Sequence, residues 1–417
     1  MVAGLNDKSG FIGFLRDAAW LTKDRVIAYS RLMILLQTIA LIVPAMFLHG
    51  FFGGPTAPVP IDFLSFYAAG HLADQGHAAA VYDQSAHFRA EQAAFGAPGL
   101  GYFAFFYPPI FLLVCATFGW MPYLVAFYVW IGSTLGAFLI AVRRIMGPTM
   151  TIWPIAAYPA VFLTVVTGQN SFLTATLFAL GTVLLDKRPF TAGLFFGALI
   201  FKPHFGLLLP IALIAGREWR AFAGAAAMVV ALAALSALVF GMDAWQAFFE
   251  LSRGTSQTFQ DGLVRLFLIV SPFSATRMLG GSVGLSYGVQ AAITVTAMIF
   301  VAIVWRRNTR LAARAAVLIS ATMISLPVIL FYDLTLAGVA LAWIMRDAAS
   351  TGYRRWEKSA LVVVICAPLL TIGVAYTLKW PLGLIATVLL FILSVRRAFM
   401  PGSGEGAALD AVGRAAP

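Results

Sequence analysis

Residues 189–216 read PFTAGLFFGALIFKPHFGLLLPIALIAG: two apolar runs parted by Lys202, Pro203 and His204. Basic pairs close both ends, Lys187 with Arg188 before the stretch and Arg217 with Arg220 after it. At about 1.5 Å per residue each half reaches about 18 Å, well short of a hydrocarbon core about 30 Å thick. Neither half crosses a membrane alone. Irregular backbone at membrane depth is tolerated only where it is buried in protein or lines a polar cavity. The stretch therefore predicts a broken helix whose break carries a lysine and a histidine into such a cavity. An intramembrane lysine costs about 2.5–3.5 kcal/mol on insertion, which marks Lys202 as functional by default.

The rest of the chain agrees with a membrane setting. Of 417 residues, 61% are hydrophobic and 11% charged, where soluble proteins carry about 25% charged. Besides 189–201 and 205–216, apolar runs fall at 29–48, 105–119, 122–142, 151–167, 169–185, 219–240, 283–305, 311–329, 333–345, 357–377 and 381–395, several of them too short to cross alone. The expected fold is an all-α polytopic membrane protein with about 10–13 membrane segments, several broken or re-entrant. The alternating ten-residue strands of a β-barrel are absent from the sequence. Parity leaves 105–119 open, either re-entrant or crossing.

The formal charge of +11 belongs to loops rather than to a nucleic-acid surface. Arg25 with Arg31, Arg143 with Arg144, Arg306 with Arg307 and Arg310, Arg346 with Arg354 and Arg355, and Arg396 with Arg397 mark one face. The loop 50–104 carries Asp62, Asp74, Asp83 and Glu91 against Arg89 alone, so it falls outside and the N-terminus inside. Residues 1–28, with Lys8, Arg16, Lys23 and Arg25 and no cleavable signal pattern, read as a cytoplasmic amphipathic segment. A transmembrane domain over 29–397 follows, with a second external loop at 241–282, and 398–417 reads as a disordered cytoplasmic tail. Cys115 and Cys366 sit in apolar segments and suggest no disulfide framework.

Five polar interruptions fall toward one face: Asp62 in PIDFLSFYAAG, Tyr107 in FFYPPIFLL, Gln169 and Asn170 in VTGQNSFLTATLF, Lys202 and His204, and Asp333 in FYDL. Each has a plainer reading. Asp62 suits a helix N-cap, the prolines after Tyr107 suit a first helical turn, and Gln169 with Asn170 suit a turn. Convergence of all five on one side argues for one cavity. His49, His71, His77 and His87 match no metal-ligand spacing and read as solvated loop residues, so no metal and no cofactor is expected.

The order of these motifs is what carries a resemblance. D-F-x-x-F-Y-x-A-G from Asp62 is followed by G-x-x-x-x-V-Y-D, Y-P-P-x-x-x-L, G-Q-N-S, K-P-x-x-x-L-L-L-P with R-E-W-R-A, and Y-D-L. Over about residues 55–345 the chain resembles glycosyltransferase family 87, polyprenyl-phosphate-mannose-dependent mannosyltransferases of the GT-C fold. The resemblance implies sugar transfer at the periplasmic side of a bacterial inner membrane, from a polyprenyl-phosphate sugar donor to a glycolipid or glycan acceptor. It implies Asp62 as general base. Lys202 and His204 would receive the leaving phosphate, with Arg253, Arg265 or Arg277 as second choices. Tyr107, Gln169, Asn170 and Asp333 would line the pocket. A transporter or flippase of lipid-linked sugars is the competing reading, since it too needs broken helices; the sequence lacks the internal repeat such proteins often show.

Overall fold

Proline and glycine, more than any loss of apolarity, set where helices begin and end. Pro109, Pro154, Pro159, Pro189, Pro210 and Pro272 each stand in the first turn of a helix, where the missing N–H is no loss. Gly147, Gly168 and Gly352 stand just past helix ends with positive φ. The protein is described by a computed structural model over residues 7–47, 61–95, 101–260, 265–307 and 309–400. His49, the loop stretches 50–60, 96–100 and 261–264, and the tail 401–417 lie outside the described residues.

Among the described residues six helices are long and apolar enough to cross a membrane: Lys23–Ile42, Tyr123–Met146, Trp219–Arg253, Val283–Arg306, Glu357–Leu378 and Leu382–Phe399. Shorter apolar helices, Ser171–Leu184, Pro189–Phe201, Pro203–Ala215 and Leu311–Ser325, complete a polytopic, nearly all-helical membrane protein. Among the described residues the only β-pairing is a single bridge between Ile269 and Leu330.

Two of the broken segments return to the end at which they start. The first is Pro189–Phe201 followed by Pro203–Ala215. One buried guanidinium, Arg314, holds Asp186 before it and Glu218 after it, each at 3.0 Å. The second is Leu311–Ser325 followed by Thr335–Thr351. Arg310 at its start reaches Asp347 near its end at 2.8 Å. Asp347 also receives Arg397, which in turn binds Glu357 at 2.6 Å. These ion pairs gather the feet of both hairpins at one end of the molecule, the arginine-rich end. The tips, Lys202 and Asp333, lie at the other. Between Thr335 and Asp347 the helix rises about 18 Å.

Close backbone packing fixes the first hairpin. Gly193 and Gly197 lie against the carbonyls of Ala221 and Ala225, and Gly224 lies against the Phe190 carbonyl. In a membrane, where lipid is as apolar as leucine, small residues permit the close approach that dispersion forces need.

The structure also redraws several segments. The run 151–167 is two helices, Trp153–Ala156 and Pro159–Thr167, because Pro159 breaks the ladder. The run 105–119 contains only Pro109–Cys115, seven residues and about 10 Å long, too short to cross. The helix from Trp219 turns at Gly241 (φ 78°) and runs on to Gln260, so the first half of the expected loop 241–282 is helical. The helix Lys23–Phe47 begins before residue 29, and Leu382–Phe399 passes residue 397, because their charged first and last turns remain helical.

Gly193→Leu is expected to destabilise the protein by about 1–3 kcal/mol through overpacking against Ala221. Gly132→Leu, where a Cβ meets nothing within 4 Å, is expected to be neutral. Thermal unfolding of the two variants in detergent checks this.

Candidate active site

The site forms where the two hairpin tips meet the turn of the GQNS motif. Lys202 caps the short helical turn Leu199–Phe201 with φ −127° and ψ 72°, so its side chain leaves the helix axis. Its Nζ lies 2.9 Å from Asp333 Oδ1, and both side chains are about 5% exposed. The ammonium also stands over the rings of Phe205 and Tyr332, at 5.1 and 5.9 Å. Asp333 is held from two further directions. Ser171 Oγ donates to the same Oδ1 at 2.8 Å, and the Leu330 N–H donates to Oδ2 at 3.3 Å. A buried carboxylate needs this many donors to remain charged.

Gly168 makes the adjoining turn. Its φ of 71° and ψ of 18° lie in the left-handed region, and Trp130 Nε1 donates to its carbonyl at 3.0 Å. The turn delivers Gln169, Asn170 and Ser171 together. Asn170 occupies the N-cap position of Ser171–Leu184 yet makes no capping bond with its side chain. That side chain is fully buried, and its amide makes no hydrogen bond of good geometry, although the Tyr107 hydroxyl lies against it. A buried amide so poorly satisfied costs about 1–3 kcal/mol, which sets Asn170 apart from an ordinary turn residue.

Asp62 is the second residue of the helix Ile61–Asp74 and is half-buried beside this cluster. Burial pushes its carboxyl above the usual carboxylate range, while Gln169 as hydrogen-bond partner and the Lys202 charge hold it back. The Tyr107 hydroxyl group is placed among Asn170, Asp333 and Asp62. Its ring lies 4.7 Å from Phe111 and 5.4 Å from Phe66, and Phe111 stacks on Phe201 at 5.2 Å. An aromatic wall thus connects the Asp62 helix to the lysine break. His204 stands exposed next to Lys202 and Asp333. All seven residues singled out from sequence, Asp62, Tyr107, Gln169, Asn170, Lys202, His204 and Asp333, come together here.

Others do not. Arg253 is exposed, Arg265 is exposed and packs over Phe267 at 6.0 Å, and Arg277 donates to the Gly281 carbonyl at 2.7 Å. Asp83 accepts from the Ala86 N–H and the Ser85 hydroxyl, capping the helix Gln84–Phe95. Asp74 and His77 are exposed, and His71 shares a hydrogen bond with the Gly119 carbonyl at 3.1 Å. Among the described residues no group of three His, Cys, Asp or Glu is arranged to hold a metal. Ser171, Tyr332 and Thr164 were missed. Thr164 Oγ1 meets Thr335 Oγ1 at 2.7 Å and donates to the Tyr332 carbonyl, locking the second tip to the GQNS turn. For Ser171 the motif itself was the available signal.

His87 corrects the solvated-loop reading. It is fully buried with Glu91, the two facing at 3.5 Å on one helix. Its Nε2 meets the Ser65 carbonyl at 3.1 Å, and Glu91 Oε2 accepts from the Phe103 N–H at 3.2 Å. The pair therefore ties the Asp62 helix to the strand of chain leading into Tyr107. Burial by that chain, with Tyr102 and Phe105 packed edge-on or tilted against the imidazole, is what removes His87 from solvent.

A family model described as Glycosyltransferase family 87 matches residues 105–332, more than half of the chain. No curated protein and no solved structure matches the chain. The match contains Tyr107, Gln169, Asn170, Lys202 and His204; Asp62 lies before it and Asp333 one residue past it.

Burial pushes the Glu91 carboxyl up to about 8, the Phe103 N–H opposing, and pushes His87 down to about 4. From pH 4.5 to about 8 folded Glu91 keeps a proton that the unfolded chain releases, so its contribution to stability falls as pH rises. His87 acts in the opposite sense up to pH 6.5, where the unfolded chain holds a proton that the folded imidazole has released. The two offset each other in the overlap, and above pH 6.5 Glu91 acts alone. Thermal stability should therefore decline from pH 6.5 to 8, and Glu91→Gln should flatten that decline. A Gln variant with the wild-type slope would assign the effect elsewhere.

Proposed function

The chain belongs to glycosyltransferase family 87, and from that premise we propose that this membrane glycosyltransferase moves a sugar, mannose, from a polyprenyl-phosphate donor to an acceptor hydroxyl with inversion. The acceptor is a glycolipid or glycan, and the reaction faces the periplasm of a bacterial inner membrane. The observation that carries the reading is the juxtaposition of a half-buried carboxylate, Asp62, and a buried ammonium, Lys202, in one polar cluster with Gln169, Tyr107, Asn170 and Asp333.

The chemistry divides between the two. The acceptor oxygen attacks the anomeric carbon, Asp62 takes its proton, and the carbon–oxygen bond to phosphate breaks with the electron pair leaving on phosphate. A positioned base of raised pKa suits the first step, and preformed donors suit the second. Lys202 has three N–H groups and gives one to Asp333, which leaves donors for a phosphate. His204 stands exposed beside it as a second donor. Asn170, whose amide makes no hydrogen bond of good geometry within the protein, fits a sugar hydroxyl, and Tyr107 and Gln169 stand beside it in the same cluster. Orientation follows from charge: the arginine-rich end suits the cytoplasmic face, which leaves the hairpin tips toward the other.

Replacing Asp62 with Asn should lower sugar transfer from polyprenyl-phosphate mannose by about 10²–10⁴-fold while donor binding persists. Transfer retained in that variant would remove Asp62 from the role of base. A separate test uses pH. The reaction should fail on the acid side as Asp62 takes up a proton, and Lys202→Met or Gln169→Leu, each removing an influence that holds the carboxyl down, should move that acid limb to higher pH. An unmoved limb in both variants would exclude the coupling.

A further inference from the structure

We infer that the arginine-rich end holds a binding site for one anionic glycerophospholipid, in the slot between the helix Lys23–Phe47 and the body of the protein. The slot is a cavity of about 580 Å³ whose walls are mainly apolar, with Val26, Tyr29 and Met33 on one side and Pro154, Leu361 and Ile365 on the other. A volume of this order suits a ligand rather than a packing defect. Two ammonium groups, Lys23 and Lys358, line it, and no carboxylate does. Among the described residues neither lysine makes an ion pair; Lys358 lies over the Tyr353 ring, at 5.5 Å. Both begin their helices, in the first turns of Lys23–Phe47 and Glu357–Leu378, where the charged faces of the chain place lipid headgroups. An apolar chain channel with cations at its headgroup end is the complement of an anionic lipid.

The helix that forms one wall needs such a filler. Its membrane-spanning window is only 6% buried. It is fastened to the body by few polar contacts, Gln37 donating to the Ala157 carbonyl at 3.0 Å and Arg31 over the Trp153 ring at 5.4 Å. Ala157 also lines the slot, at the break just before Pro159–Thr167, the helix that ends in the Gly168 turn. The lipid thus braces the element that positions Gln169 and Asn170. The polyprenyl-phosphate donor is not the occupant, because the slot lies beside Met345, at the foot of the second hairpin, a helix length from Asp333. The inference does not depend on which sugar is transferred or whether transfer occurs.

Native mass spectrometry of the full-length protein tests it, after detergent exchange with equimolar phosphatidylglycerol and phosphatidylcholine of the same acyl chains. The wild type should retain one phosphatidylglycerol with a preference of about fivefold or more, the size expected where one lysine meets a net negative charge that phosphatidylcholine, with its choline cation, does not carry. K23Q/K358Q should bring the two lipids to parity, and V26W, which fills the channel, should lose both; K379Q, at the other end of the helix Glu357–Leu378, should keep the preference. Circular dichroism confirms that each variant is folded. Equal retention by the wild type, an undiminished preference in K23Q/K358Q, or displacement of phosphatidylglycerol by added polyprenyl phosphate would each overturn the assignment.

Discussion

The 2.9 Å contact between Lys202 and Asp333 is the constraint around which the candidate site is arranged. It joins the tips of two hairpins whose residues lie 131 positions apart in sequence, where both side chains are buried and an unpaired charge would be costly. Leaving either partner alone would cost about 3–5 kcal/mol. That penalty makes each tip dependent on the other: the KPH break is tolerable because Asp333 waits there, and the YDL turn is tolerable because Lys202 does. Ser171 then ties the GQNS turn to the same oxygen. Three irregular segments are thus stabilised by sharing one ion pair, which also gives the broken helices the polar partner that bilayer physics demands of them.

The opposite end works by the same rule with more partners. Arg310, Arg314 and Arg397 bring together Asp186, Glu218, Asp347 and Glu357, so the feet of both hairpins are clamped while their tips meet. A tip clamped at its foot has little freedom of position. Preorganisation of Lys202 and Asn170 therefore rests on arginines a helix length away, together with the Gly193 and Gly197 contacts that set how closely the first hairpin packs.

Much of this was legible because membrane insertion penalises polar residues so strongly that any exception stands out. Lys202, Asp333 and the GQNS turn could be named from sequence, and the six long helices lie on apolar runs read there, though the runs did not show which of them were long helices. What failed to show was pairing. Nothing in KPH says that its lysine meets the YDL aspartate rather than a ligand, since only the fold brings the two hairpins to one point. Composition also hid burial in the first external region. His87 read as a solvated loop residue because the stretch around it is polar, yet the chain around Tyr102 and Phe105 covers it, and Glu91 is buried beside it. The helix past Gly241 escaped notice because a glycine normally stops a helix, and here positive φ merely turns it.

The charge arrangement bears directly on the proposed transfer. With Asp333 neutralising Lys202, the remaining formal charge in the cluster is the Asp62 carboxylate. A polyprenyl-phosphate sugar is a phosphodiester with one negative charge, and its leaving group is a monoester that can carry two. When Asp62 accepts the acceptor proton it loses its charge in the same step that the phosphate gains one. The total charge of site and ligand is unchanged, and it moves from Asp62 toward Lys202 and His204. In a low-dielectric cavity, creating net charge is far more costly than relocating it. Under the proposed roles, a base within the field of the lysine that receives the leaving group lets the two events offset each other, which is a physical reason for one cluster to hold both.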